Sequence, residues 1–219
     1  MFSYLYLEEN KLNKNNIVIR HEEKKDYREV ESLVRDSFWN VYRPGCLEHY
    51  VLHVMRESSG FIPSLDYIMY YNDVLIGQIV YYKAKLDLFD GSSLDILTMG
   101  PIAIKNEYKR QGFGKYLLDY TLDKATSLGW GGICFEGNFK FYSTCGFTYA
   151  RDYGIKYHGL KEGDDDSFFL AKELKKDYFK AINGVYSTPE VYFVSEADAE
   201  SFDKTFPFKV KEKLPSQIF

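Results

Sequence analysis

The chain of 219 residues has a hydrophobic fraction of 45%, a charged fraction of 27% and a net charge of −4, the balance of a globular protein with apolar material for a substantial core. The acidic balance argues against a general nucleic-acid or anionic-membrane binder, which needs an excess of Lys and Arg on at least one face. No apolar run approaches the ~20 residues that span a bilayer, and the length suggests one domain plus an appendage.

Residues 1–16, rich in Asn and Lys after a short aromatic start, read as a loosely attached lead-in. They show no basic leader and no long apolar core, so a cytoplasmic protein is expected. Ile17-Val18-Ile19-Arg20 reads as a strand, and Tyr27, Val30, Leu33, Val34 and Phe38 recur at helical spacing through residues 25–39. Pro44-Gly45 breaks that helix, and Leu47, Tyr50, Val51 and Val54 mark a second one over 46–57. Cys46, His49, His53 and Glu57 lie at turn-related spacing there, but without the Glu of an HExxH pair or a clear fourth ligand, so no metal is expected. Cys46, Cys134 and Cys145 lack CxxC spacing and suit structural thiols in a reducing compartment.

Residues 66–71 and 74–88 read as β-branched and aromatic strands around the tight turn Asn72-Asp73. A strand over 94–104 follows, then a helix to about Leu128 that Gly129 stops. Residues 131–136 are a compact apolar strand, Gly137-Asn138 opens a short helix that ends near Gly146, and 147–149 and 168–172 close the sheet. The loop between them carries Asp164-Asp165-Asp166, read as a solvated tip. Beyond Leu174 the pattern changes: 184–187 and 191–193 suggest a strand pair around Pro189, and 196–206 a terminal helix.

The segment Ile102-Ala103-Ile104-Lys105-Asn106-Glu107-Tyr108-Lys109-Arg110-Gln111-Gly112-Phe113-Gly114-Lys115 joins an apolar strand to the glycine-rich start of an amphipathic helix. A helix start offers unpartnered N–H groups and the positive end of the macrodipole, and two glycines let a bulky anion approach the main chain. Lys109, Arg110 and Lys115 add positive charge. A P-loop would need Gly where Lys109 stands, and a dinucleotide fingerprint would need Gly where Leu117 stands.

The sequence Lys109-Arg110-Gln111-Gly112-Phe113-Gly114 instead resembles the acetyl-CoA signature of the GNAT N-acetyltransferase superfamily, Arg or Gln, two residues, Gly, any residue, then Gly or Ala. Lys109 departs from it at the first position. Gly100-Pro101-Ile102-Ala103-Ile104 resembles that family's fourth strand, and Phe141-Tyr142-Ser143-Thr144-Cys145-Gly146-Phe147 its downstream Phe-Tyr, three residues, Gly-Phe segment. The resemblance implies a mixed α/β fold, a strongly twisted GNAT-like sheet of about six to seven strands with helices on both faces, over residues 17–174. Residues 175–219 are then a C-terminal extension beside it.

It also implies an N-acetyltransferase that passes the acetyl group of acetyl-CoA to a primary amine of a small molecule or protein by direct attack in a ternary complex. The pyrophosphate would rest on Lys109, Arg110, Gln111, Gly112, Phe113, Gly114 and Lys115, and the pantetheine arm would run along Ile102, Ala103 and Ile104 like an added strand. Tyr142 stands at the position of the family's general acid. Glu107 is a candidate base or positioning residue, with Glu48 and His49 beside it as candidates. The family often places an Asn on the pantetheine; Asn138 corresponds, although a helix cap is its simpler role. A monomer or homodimer is expected, with no membrane or nucleic-acid partner. The alternative is a non-catalytic acyl-CoA-binding sensor on the same fold.

Overall fold

The computed structural model describes residues 14–218. The expected lead-in lies outside this range except for its last turn, Lys14–Asn16, which is a 3₁₀ turn. Four strands follow one another in an antiparallel run: β1 (Ile17–His21), β2 (Phe61–Tyr71), β3 (Val74–Leu88) and β4 (Ser93–Ile104). Asn72 and Asp73 turn the chain between β2 and β3 with φ of 48° and 61°, the conformation that a two-residue hairpin demands and that these residues tolerate.

Alternation along β3 and β4 gives each strand two apolar faces, and helices cover both. On one face α1 (Tyr27–Phe38) and α2 (Glu48–Met55) bury Val30, Leu33, Val34, Val51, Leu52 and Met55 against Ile68, Val80, Tyr82 and Ala103. On the other, α3 (Phe113–Ser127) lays Leu117, Leu118, Leu122 and Ala125 on Ile79, Tyr81, Leu97 and Met99. Fully burying a Leu or Ile contributes roughly 1.5–3 kcal/mol, so these two layers fix the sheet's middle. Gly129, at φ 95°, ends α3 as its position in the sequence implies.

Beyond β4 the sheet changes character. β5 (Gly132–Glu136) lies parallel to β4 but meets it at one register pair, Leu97 with Ile133. It then pairs antiparallel with β8 (Phe169–Glu173), which carries β6 (Thr148–Tyr149) on its other side. The short helix α4 (Phe139–Tyr142) follows β5 and closes in a 3₁₀ turn at Ser143–Cys145.

Among the described residues the sheet has nine strands, more than the expected six to seven through two short additions, β7 (Ile155–Tyr157) and β9 (Gly184–Tyr186). The strand pair expected around Pro189 is corrected: Glu190–Tyr192 is a 3₁₀ turn, and β9 pairs instead with β3 and β7. Both edges of β9 are taken by strands remote in sequence, which local patterning does not reveal. Tyr186 joins Ile96, Cys134, Phe169 and Phe179 in a third apolar cluster, so the end of the chain is built into the sheet.

α5 (Glu196–Asp203) packs on α2 through Phe202 against His49 and His53, and Asp203 pairs with the buried Arg35 at 2.6 Å. The remaining segment runs back over α1. The Trp39 indole and the Asn40 side-chain amide both donate to the Val210 carbonyl, and Ile218 N–H donates to the Tyr42 carbonyl.

Candidate active site

The opening between β4 and β5 is where chemistry can be placed. Past Leu97, β3 is the only described strand paired with β4. A register shift between Ile79 and Tyr81 on β3 puts a bulge in β4 around Gly100-Pro101, and such bulges re-aim side chains and backbone groups. Lys105 N–H donates to the Ile76 carbonyl of β3. Strand alternation therefore turns the backbone groups of Ile104 and Ile102 away from β3, toward the opening, while the Ala103 side chain faces α1 and α2. The Ile104 carbonyl accepts a hydrogen bond from the Ser37 hydroxyl at 3.1 Å, and Ile102 remains half-buried at the edge.

At the end of β4 the chain makes a 3₁₀ turn at Asn106–Tyr108 and enters α3 through Gly112. Gly112 has φ 89° and a Cβ there would meet nothing within 4 Å, so the helix start faces open space. No side chain caps this helix, which leaves the N–H groups of its first turn exposed to an incoming anion. Phe113 is buried against Tyr71 and Tyr108, anchoring the turn from below. Gly114 sits where a Cβ would touch Ile104 and Phe141 at ordinary distances of 3.5 and 3.6 Å, so this residue joins the loop to the strand and to α4.

The polar residues of the loop divide their work. Lys109 turns inward: its ammonium donates to the Ser37 carbonyl at 2.9 Å, and burial pushes its pKa down. Arg110, at φ 60°, is exposed. The Gln111 side-chain amide donates to the Glu107 carbonyl, while the Glu107 side chain is exposed on the 3₁₀ turn. Lys115 pairs with Asp119 one turn along α3 at 2.7 Å, which raises its pKa. Ser37, at the end of α1, thus holds both the strand end and the loop; no motif in the sequence marks it.

Asn138 caps α4, its side-chain oxygen accepting from Lys140 N–H at 3.0 Å. Tyr142, the last residue of α4, is buried among Phe135, Phe141 and Phe147, with ring centroids 4.6, 4.8 and 5.8 Å away. Burial raises its pKa well above the usual phenol, and Tyr42 of the loop between α1 and α2 lies close enough to push it further. Glu48, at the start of α2, is also raised by burial, against the lowering effects of the Leu47 N–H and of Arg43.

The extension reaches the same opening from the other face. Tyr186 donates to the Thr98 hydroxyl at 3.0 Å and Tyr192 to the Gly100 carbonyl at 3.1 Å. The candidates His49 and Glu48 separate: His49 is fully buried, its Nδ1 3.3 Å from Cys46 Sγ and its Nε2 3.3 Å from Asp203 Oδ1 without hydrogen-bond geometry. Cys46, His49, His53 and Glu57 do not converge, since His53 instead meets Glu31 at 2.9 Å. No group of residues fit to hold a metal occurs among the described residues.

A mixed sheet that parts beside a bulged strand, with an uncapped glycine-rich helix start at its end, defines the class of acyl-CoA-dependent transferase folds. The chain belongs to the acetyltransferase (GNAT) family, whose model matches residues 22–147. It is similar to the uncharacterized N-acetyltransferase YhbS of Escherichia coli, with 26% identity over 178 residues, 80% of this chain and 96% of that one. The fold matches the crystal structure of YhbS in complex with CoA, with TM-score 0.69 and 23% identity over 82% of this chain and 93% of that chain. It also matches a GNAT family acetyltransferase of Brucella melitensis in complex with acetyl-CoA, with TM-score 0.62 and 16% identity over 80% and 97%. Among the described residues no helix is long and apolar enough to cross a membrane.

Proposed function

We propose that this protein is an N-acetyltransferase that carries the acetyl group of acetyl-CoA to a primary amine within a ternary complex. The observation that carries the reading is the edge of β4 beyond Leu97 that no described strand pairs, continuous with the uncapped start of α3. Ile102 and Ile104 turn backbone groups to that edge, with Ala103 between them, so a pantetheine arm with its two amides can add to β4 as a strand would. The N–H groups of Gly112, Phe113 and Gly114, with Arg110, Gln111 and Lys115 around them, suit the diphosphate. Lys109 adds charge while its hydrogen bond to Ser37 holds the loop against α1. Asn138 lies at the far side of the opening, where its cap fixes the direction of α4 and hence of Tyr142.

Holding both substrates together removes most of the bimolecular cost of the reaction. The amine nitrogen, neutral after losing its proton to solvent, forms the new C–N bond as the C–S bond breaks. The departing thiolate takes the Tyr142 phenolic proton, and the phenol is reprotonated from solvent. Burial keeps Tyr142 neutral through the working pH range, the state a general acid must start in. Glu107 fits a positioning part: its carbonyl holds Gln111 and so the shape of the loop. The test is release of CoA from acetyl-CoA by purified protein across an amine panel. Amine-dependent release supports the proposal, and tight CoA binding without transfer to any amine overturns it.

A further inference from the structure

Leu97 and Ile133 are the last residues through which β4 and β5 pair. Three residues further along each strand stand Gly100 and Glu136, on opposite sides of the opening. Alternation sends Cys134 and Glu136 to the face of the sheet opposite α3, since Ile133 and Phe135 belong to the cluster beneath α3 and Cys134 to the other. Tyr142 lies on the α3 face. The opening therefore has a phenol on one face and a carboxylate on the other.

Glu136 is exposed yet held. Its Oε1 accepts the Tyr157 hydroxyl and the Thr188 hydroxyl, each at 2.7 Å, and those two hydroxyls are 2.8 Å apart. Its Oε2 has no hydrogen bond to a described residue. Tyr157 comes from β7 and Thr188 from the segment after β9, so two late additions to the sheet converge on one carboxylate oxygen and leave the other open. Glu136 acts electrostatically on both Tyr186 and Tyr192, the two phenols bonded to Thr98 and Gly100. A fixed carboxylate with one oxygen open, near the half-buried rings of Tyr157 and Tyr192, suits an ammonium on an apolar body, through charge pairing and cation–π attraction.

We infer that Glu136, positioned by Tyr157 and Thr188, is the acceptor-binding residue, and that it draws in a primary amine with an apolar body as the ammonium, which gives its proton to solvent before it attacks. This inference rests on the acetyltransferase reading above. It also gives the C-terminal extension a part in recognising the acceptor, because Thr188, Tyr186 and Tyr192 all belong to it.

The test compares wild type with Glu136→Gln, and with the milder Tyr157→Phe and Thr188→Val. Acetyl transfer from acetyl-CoA is measured to benzylamine, tyramine, spermidine and Nα-benzoyl-lysine amide, with CoA binding by calorimetry alongside. Glu136→Gln is expected to raise the amine KM about tenfold or more, with kcat within threefold of wild type and CoA affinity unchanged. The two hydroxyl variants are expected to raise KM by smaller factors in the same direction. A Glu136→Gln enzyme with wild-type amine KM overturns the inference and leaves the acetyltransferase reading standing. A wild type that binds CoA but acetylates none of the amines overturns the reading on which the inference rests.

Discussion

Tyr142 illustrates how much of the site a single residue can carry and how much it cannot. Its ring is fixed by Phe135, Phe141 and Phe147, and burial favours the neutral phenol. Tyr142→Phe keeps the packing and removes only the hydroxyl. It is expected to lower kcat about 10²-fold, with acetyl-CoA affinity within twofold in a calorimetric titration; unchanged kcat would remove Tyr142 from the reaction. Because the phenol pKa is raised, any alkaline fall in kcat between pH 7 and 9 must come from another group and should persist in this variant. Tyr142 was legible as a candidate because it stands in a spaced motif, Phe141-Tyr142 with Gly146-Phe147. Ser37, Tyr157 and Thr188 were not, since each acts on a partner 21 or more residues away that only the folded sheet brings near: Ser37 on Ile104, Tyr157 and Thr188 on Glu136. Glu136 left one faint trace, a charge ending the apolar strand just before Gly137-Asn138.

At the scale of elements, the strand, turn and helix from Ile102 to Lys115 could be read directly, because alternation, helix-start chemistry and glycine placement are local. The parting of β4 from β5 could not, since pairing is a property of two strands. The tail behaved likewise. Its terminal helix was visible from residue 196, but the return of residues 204–218 over α1 was not. Asn40 shows what that return does: at φ 60°, its Oδ1 accepts from Gly45 and Glu212 N–H, its amide donates to Val210, and its own carbonyl accepts from Gln217. The loop that carries Tyr42 toward Tyr142 is thereby tied to the C-terminal segment. Asn40→Ala is expected to destabilise the fold by about 1–3 kcal/mol, measured by urea unfolding. Removal of residues 207–219 is expected to speed amide exchange over residues 38–47 and leave α3 unchanged; equal exchange in that loop would show that the tail does not restrain it.

For the whole molecule, the helices on both faces of the sheet and a late extension woven into it place ionisable groups in the interior. His49 is the clearest case. Burial lowers its pKa from 6.5 to about 4, with Asp203 opposing the shift and Arg35 and Arg28 reinforcing it. The folded state holds this ring neutral, so its contribution is fully present above pH 6.5 and is lost as the pH falls toward 4. The loss is on the order of 3 kcal/mol at the acid end. His49→Gln is expected to flatten the fall in urea midpoint between pH 6.5 and 4.5; a slope equal to wild type would mean that His49 is not the group responsible.

The opened edge of β4 and the glycine-rich start of α3 are proposed to seat CoA together. Gly114 tests this with least disturbance, because its backbone is ordinary helix and a Cβ there meets Ile104 and Phe141 at normal contact distances. Calorimetric titration of CoA into wild type and Gly114→Val is therefore the decisive measurement, with circular dichroism and Tm recorded on both proteins. Saturable binding by wild type and loss of binding by a folded Gly114→Val is the expected result. Native CoA affinity in that variant, or no CoA binding by wild type, would contradict the assignment.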